Sequence, residues 1–397
     1  MKPTDAQLEE LLTRRVDSVI GGKELSEALA SGKKLRIKHG VDPTTPDLHL
    51  GYSVVYHKLR EFQDLGHTVV FLIGSFTARF GDPDGKEQTR TLRSAKDVDR
   101  LAKDYLKQAF TVLDPNKTEV RYNAEWYDKM SAEELIRLMS HFTYSQMMER
   151  DMFQKRIKEK LEIRFHEPIY PVLQGYDSVM LKSDVTVIGT DQTFNEMRGR
   201  DLQRDFGQEP QAIISVPLLV GTDGVQKMSQ SLGNYIGIAE GPGEQYGKIM
   251  SIPDSLIYTY FDMATDVDRG TLNQIKKQLA DKNTNPRDIK MSLAHTIVTM
   301  YHGGRKADTA QANFVRVFQK GSAPTEMTEV KLAKATALFD LLVEHKMIAS
   351  KTEGRRLIEQ GGIRIDDVQV SDPNLVLEPN TTATIQVGKR RFLKISK

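Results

Sequence analysis

Five short apolar runs, at residues 35–37, 69–73, 120–122, 185–188 and 213–216, are spaced so that helical stretches lie between them. Runs this short read as strands rather than helices. Strands alternating with helices return in parallel, which predicts an α/β chain built on a doubly wound parallel sheet. Ligands of such sheets bind outside the carboxyl ends of the strands. Gly40, Gly74 and Gly189 each follow one of these runs, so a site is expected in the loops they open. No G-x-G-x-x-G fingerprint occurs, which disfavours a nicotinamide or flavin Rossmann domain.

Around this sheet the pattern is helical. Leu8, Leu11, Leu12, Val16, Val19 and Ile20 recur at helical spacing and predict helix within 1–30, ending at Gly21-Gly22. Residues 125–168 read as helical and are rich in methionine and charge, a composition more common in cores and interfaces than in cofactor sites. Pro286 opens a helix carrying Ile289, Leu293, Ile297 and Tyr301, stopped by Gly303-Gly304. Residues 320–325 make a plausible linker. The boundaries expected are a Rossmann-like domain at 1–234 with the insertion at about 125–168, a helical domain at 235–325, and a small α+β domain at 331–397.

A length of 397 residues, 39% hydrophobic and 28% charged, suits a globular chain of two or three domains. No apolar run approaches membrane-spanning length and the polar N-terminus is no signal peptide. There is no cysteine and no H-E-x-x-H among the nine histidines, so no structural metal is expected and the cytoplasm is the default compartment. Residues 331–397 hold 12 Lys/Arg against 8 Asp/Glu, an excess of +4 in a chain of net charge +2. A basic end on a mildly acidic body suggests a polyanion partner, a solvated surface being the plain alternative.

The loop at 40–52 carries the first chemical signal. Pro43 and Pro46 fix a turn between strand and helix. His49 and Gly51 then fall in the first helical turn, where free N–H groups favour an anion. The histidine could donate to a phosphate and the glycine admit a flat ring; an ordinary helix start with an exposed histidine would read the same. A second stretch, at 227–234, changes the balance. Together the two resemble the H-I-G-H and K-M-S-K-S motifs of class I aminoacyl-tRNA synthetases, here His49-Leu-Gly-Tyr52 and Lys227-Met-Ser-Gln-Ser231.

Three further stretches narrow the resemblance to the tyrosyl-tRNA synthetases. The loop at 74–86 is one residue short of P-loop spacing and lacks the distal glutamate of a calcium loop. It resembles the G-D-P-S-G-K loop of that family, with Asp84 for serine, although 82–85 would make a good turn in any protein. Tyr170, Gln174 and Asp177 lie at i, i+4 and i+7 on one helix face. Such a face could be a capped surface, but it matches the family's Y-x-x-x-Q-x-x-D. Gly189-Thr-Asp191-Gln192 resembles the G-x-D-Q loop. The tail resembles a ribosomal-protein-like RNA-binding domain, with Lys351, Arg355, Arg356, Arg364, Lys389 and Arg390 as candidate RNA contacts.

The resemblance implies an ATP-dependent tyrosine–tRNA ligase, a homodimer joined through the insertion, with tyrosine, ATP and tRNA as substrates and Mg²⁺ entering with the nucleotide. His49, Lys86, Lys227 and Gln230 would act on the phosphates. Gly40, Asp42, Thr44, His49, Gly51, Tyr52, Gly189, Asp191, Lys227, Met228, Ser229 and Gln230 would bind ATP. Lys38, Asp82, Tyr170, Gln174, Asp177 and Gln192 would bind tyrosine, Asp82 at the amino group. The chain departs from the family pattern at Tyr52 for histidine, Gln230 for lysine, and Lys38 for a tyrosine that meets the substrate hydroxyl. Two other classes stay open: an inactive paralogue retained as an RNA-binding protein, and another H-x-G-H nucleotidyltransferase.

Overall fold

The computed structural model describes residues 3–43, 47–83, 94–319, 328–366, 368–388 and 391–396. The chain divides into two compact units, Met1–Gly303 and Gly304–Lys397.

In the first unit the expected N-terminal helix is broken into three elements. Helix α1 (Asp5–Thr13) is held at its start by a Thr4–Gln7 capping box. Arg15 then turns left-handed, at φ 55, with its side chain buried and its guanidinium bonded to the Met263 carbonyl at 3.1 Å and the Glu61 carboxylate at 2.5 Å. Beyond it β1 (Ser18–Ile20) pairs antiparallel with β6 (Ala212–Val216), and Gly21 at φ 75 starts α2 (Gly22–Ser31). Val19 and Ile20 thus serve a sheet edge; their spacing fits either period, and the partner strand decided it.

The sheet runs β1-β6-β5-β2-β3-β4, with β2 (Arg36–Val41), β3 (Thr68–Ile73), β4 (Thr118–Tyr122) and β5 (Val185–Gly189). All neighbours pair in parallel except β1 with β6. Each of the five expected runs lies in one of these parallel strands, but β2 begins later and continues through Gly40 to Val41. Gly40 therefore sits in the strand rather than after it. The order reverses between β2 and β5, the switch point at which a crevice opens in doubly wound sheets.

Helix α3 (Leu50–Asp64) follows β2 and buries Leu50, Val54, Leu59 and Phe62 completely. Helix α4 (Ala95–Ala109) precedes β4. The stretch expected to be helical at 125–168 consists of four short helices, α5 (Ala124–Tyr127), α6 (Ala132–Met139), α7 (Tyr144–Met148) and α8 (Asp151–Lys158). Capping boxes at Ser131 and Thr143 end one helix geometry and start the next.

Helices α9 (Tyr170–Leu181) and α10 (Thr193–Asp205) then cross closely. A Cβ at Gly175 would lie 2.9 Å from the Arg198 carbonyl carbon and the Gly199 nitrogen, and one at Gly199 2.8 Å from Ser178 Oγ. Only glycine permits this approach, and it brings Glu196 of α10 against α9 and β2. Helices α11 (Pro242–Met250), α12 (Ile257–Ala264), α13 (Arg269–Ala280) and α14 (Pro286–His302) complete the unit.

The second unit begins with α15 (Gly304–Gln319). Its strands β7 (Thr328–Lys331), β9 (Ile363–Ile365), β10 (Val368–Gln369), β12 (Ala383–Val387) and β13 (Arg391–Ser396) form a sheet of order β10-β9-β12-β13-β7, while β8 (Thr336–Ala337) pairs with β11 (Val376–Leu377). Helices α16 (Leu338–Glu344) and α17 (Lys351–Glu359) share with the sheet a core that includes Leu338, Leu342, Ile363, Ile385 and Leu393. The expected linker at 320–325 lies outside the described residues.

Candidate active site

At the β2–β5 switch point lies a cavity of about 780 Å³. It is lined by the ends of β2, β3, β5 and β6, the starts of α3 and α9, and the loop at 227–232. Nearly all the residues singled out from the sequence meet there. Lys38, Gly40, Asp42, His49, Gly51, Tyr52, Asp82, Tyr170, Gln174, Asp177, Gly189, Asp191, Gln192, Lys227, Met228, Ser229 and Gln230 all line it. Thr44 and Lys86 lie outside the described residues, as do Asp84 and Gly85.

Backbone bonds bring the two distant loops together. The Leu50 N–H donates to the Ile236 carbonyl at 3.0 Å and the Ile238 N–H to the Leu48 carbonyl at 2.9 Å, around a bridge between His49 and Gly237. His49 is the N-cap of α3, one step before the helical turn in which the sequence put it. Its Nδ1 accepts the Gly51 N–H at 3.1 Å, which leaves the ring proton on Nε2. Burial, reinforced by the Lys227 charge, lowers the imidazole pKa to about 4, so the ring is neutral at physiological pH. A Cβ at Gly51 would come within 2.9 Å of that imidazole. The close approach this glycine allows is that of the histidine ring itself. Tyr52 lies against the same ring, centroids 4.5 Å apart.

The second loop is organised by Asn234. Its carbonyl accepts the Ser229 N–H at 2.8 Å, while its amide donates to the Lys227 carbonyl at 3.1 Å and to Asp223 at 2.8 Å. Lys227 is half exposed, with Nζ 3.4 Å from Asp191 Oδ2. The Gln230 side-chain amide donates to the Asp47 carbonyl. Gly74 is required on this side, since a Cβ there would lie 1.9 Å from Asp42 Oδ1.

The face of α9 turns into the cavity as its spacing predicts. Asp42 accepts the Tyr170 hydroxyl at 2.8 Å and the Thr77 hydroxyl at 2.8 Å. Burial and the Asp42 charge hold the Tyr170 phenol well above its ordinary pKa. Asp177, buried, accepts from Trp126 Nε1 at 3.1 Å and Asn123 Nδ2 at 3.4 Å. Burial raises its carboxyl to a pKa of about 7, against the opposing Lys38 charge and these donors. Asp82, expected at a substrate amino group, makes a two-point ion pair with Arg150 at 2.9 and 3.2 Å and accepts from Gln192 Nε2 at 3.1 Å. Lys38, in the place of the tyrosine of the family pattern, donates from Nζ to Ser178 Oγ at 2.6 Å and Glu196 Oε2 at 2.8 Å.

Four residues of this network escaped sequence reasoning. Asn123 and Trp126 hold Asp177, Arg150 holds Asp82, and Glu196 holds Lys38 and Gln174. Trp126, the chain's one tryptophan, gave a weak signal by its type alone. Glu196 lies in a run of charges, Glu196, Arg198, Arg200 and Asp201, that reads as a solvated face. In the second unit Lys351, Arg355, Arg356 and Arg364 are exposed, Lys351 with its Nζ 2.5 Å from Asp340. Lys389 and Arg390 lie outside the described residues. Among the described residues, no helix is long and apolar enough to cross a membrane.

Residues 30–319 match the family described as tRNA synthetases class I (W and Y), and residues 318–393 match the tyrosine–tRNA ligase SYY-like C-terminal domain. The chain is 47% identical over 393 residues to the tyrosine–tRNA ligase of Thermotoga maritima, covering 99% of this chain and 98% of that one. It is 46% identical to that of Carboxydothermus hydrogenoformans, covering 97% of each. In fold it is similar to the tyrosyl-tRNA synthetase of Archaeoglobus fulgidus complexed with L-tyrosine, at TM-score 0.61 and 21% identity over 76% of this chain and 98% of that one. A truncated mitochondrial tyrosyl-tRNA synthetase of Aspergillus nidulans gives 0.65 and 22% over 79% and 93%.

Proposed function

The chain belongs to the tyrosine–tRNA ligases, and from that membership we propose how its residues divide the work of a two-step reaction. In the first step the carboxylate of tyrosine attacks the α-phosphorus of ATP, the bond to pyrophosphate breaks, and tyrosyl-adenylate forms. In the second the 3′-terminal hydroxyl of the tRNA takes the tyrosyl group and AMP leaves. The observation that carries this reading is the convergence in one cavity of the α9 face with the His49 and Lys227 loops.

The substrate brings its own nucleophile, so the protein supplies position and charge. The ring of tyrosine enters toward Asp177, whose carboxylate accepts the phenolic proton. The amino group meets Tyr170, Gln174 and Gln192, with Asp82 shared between it and Arg150. Adenosine lies along Gly40, Asp42, Gly189 and Asp191, with Gly51, Tyr52 and Met228 beside it. Charge that develops on the phosphates is met by the Nε2–H of His49, the Lys227 ammonium, the amides of Ser229 and Gln230, and the N-terminus of α3. Lys86 and Thr44 act from the adjoining loops. Among the described residues no cluster of three or more His, Asp or Glu side chains is placed to hold a metal, and Mg²⁺ belongs to the nucleotide as substrate.

The remaining parts follow the same reading. The helical domain at 235–325 and the basic domain at 331–397 serve tRNA, with Lys351, Arg355, Arg356, Arg364, Lys389 and Arg390 meeting phosphates. Ile136, Tyr144, Ile157 and Phe165 are exposed apolar side chains on the insertion, which supports a homodimer interface there. The enzyme works in the cytoplasm. ATP–pyrophosphate exchange assayed with each of the twenty amino acids tests the core of the proposal. Exchange with tyrosine alone is expected, because phenylalanine leaves Asp177 buried without its partner. Equal exchange with phenylalanine or tryptophan overturns it.

A further inference from the structure

One charged pair inside the cavity wall has no part in the reaction as described. Lys38 of β2 and Glu196 of α10 keep only 1% and 2% of their side chains exposed, 2.8 Å apart. An ion pair this deep is seldom retained for stability alone, because desolvation offsets most of the attraction. Both partners are tied into the tyrosine-side residues. Glu196 Oε1 accepts from Gln174 Nε2 at 2.9 Å, and its Oε2 accepts from Gln211 Nε2 at 2.9 Å as well as from Lys38. The Lys38 ammonium also donates to Ser178, the residue after Asp177, at 2.6 Å.

We propose that the Lys38–Glu196 pair is a positioning and specificity device: its ammonium is the counter-charge that holds Asp177 as a pure hydrogen-bond acceptor, and so selects a hydroxylated over a plain aromatic side chain. The inference rests on the tyrosine reading of the cavity. An ionised carboxyl accepts a phenolic proton and cannot donate. A protonated one offers a donor of its own and relaxes the demand for a hydroxyl. The groups facing Asp177 are few. Trp126 of α5 and Asn123 of the turn before it donate to its carboxylate at 3.1 and 3.4 Å, Tyr170 of its own helix lines the same cavity, and the Lys38 ammonium of β2 lies 2.6 Å from the hydroxyl of Ser178, the next residue. Of these only Lys38 carries a positive charge, and it favours the ionised form against burial. Glu196 keeps that charge in place with its carboxylate turned to Gln174 and Gln211.

The chain's single tryptophan makes the test direct, since Trp126 Nε1 donates to Asp177 at 3.1 Å. Its emission followed against pH should titrate with a midpoint near 7 in the unaltered protein. The double variant Lys38→Met/Glu196→Gln removes both charges and leaves no ion buried alone. Its midpoint should rise by about one pH unit or more, as expected for losing a nearby opposite charge. Lys38→Arg should keep the original midpoint. In pyrophosphate exchange at pH 7.5, the double variant should lose about tenfold of the tyrosine-over-phenylalanine ratio in kcat/KM, and regain most of it at pH 9. An unmoved emission midpoint overturns the inference. So does a double variant that fails to fold while Lys38→Arg folds, since the pair is then structural. If the unaltered protein shows no tyrosine-dependent exchange, the functional reading itself fails and the inference with it. If it selects tyrosine but the midpoint stays, only the inference fails.

Discussion

Replacing Asp177 by asparagine should strengthen the fold at neutral pH while removing the carboxylate proposed to accept the substrate hydroxyl. Burial lifts this carboxyl from its ordinary 3.8 to about 7 in the folded protein. The folded state therefore binds a proton that the unfolded state has released, throughout the window between those values. Stability falls as pH rises through that window, and the penalty is complete above about pH 7. Three units at about 1.4 kcal/mol each make the full penalty about 4 kcal/mol, of which roughly a third is already present at pH 5. Asparagine escapes this penalty but turns an NH₂ toward the Trp126 and Asn123 donors. That mismatch costs about 1–3 kcal/mol and does not depend on pH. The pH-dependent part is thus separable. Relative to the unaltered protein, Asp177→Asn should gain about 2–3 kcal/mol between pH 5 and pH 7.5, roughly 5 °C in Tm. Melting curves for both proteins at several pH values measure it, with pyrophosphate exchange run alongside. A stability difference that stays constant across the range would refute the reading that burial outweighs the partners of this carboxyl.

Three further outcomes are expected. Gln230→Lys should raise the rate of tyrosine activation by about tenfold or more in single-turnover kinetics, because a cation on the pyrophosphate side outperforms a neutral amide; Lys227→Ala should lower it strongly, and an unchanged rate for Gln230→Lys refutes the idea. His49, with its pKa lowered to about 4, stays neutral as pH falls from 8 to 5.5. Its folded-state contribution is lost only as pH falls from about 6.5 through 4, so activation should show no step assignable to His49 above about pH 5.5, checked by comparing pH–rate profiles with His49→Asn. A chain ended near Ser322 should keep tyrosine-dependent exchange yet lose most tRNA charging, and the intact protein's tRNA binding should weaken steeply with salt.

What could be read from the sequence was whatever depends on local period or fixed spacing. Each of the five parallel strands carries a short run that could be picked out without its neighbours, although β2 and β4 also hold charged residues. Tyr170, Gln174 and Asp177 share a face because 3.6 residues per turn is enough to put them there. The first thirty residues failed for the opposite reason. Val19 and Ile20 fit a helix and a strand equally, and the choice was made by β6, almost two hundred residues away. Glu196 failed because burial is not a local property. Its place against Lys38 depends on how tightly α9 and α10 cross, and that depends on Gly175 and Gly199. Arg150 and Trp126 were hidden for the same reason, since each reaches its carboxylate from a different element of the chain.

The bridge between His49 and Gly237 has a consequence for the order in which this enzyme is made. Ribosomal synthesis delivers residues 48–50 long before residues 236–238 that pin them. Contacts of such sequence separation form late, because the loop between them must be closed first. A nascent chain that has not yet reached Ile238 holds the residues of all the parallel strands and of the loop at 227–232, but not the bond from Ile238 to Leu48. On the proposed reading of the site, its two loops are joined only after the sheet residues are already available to fold.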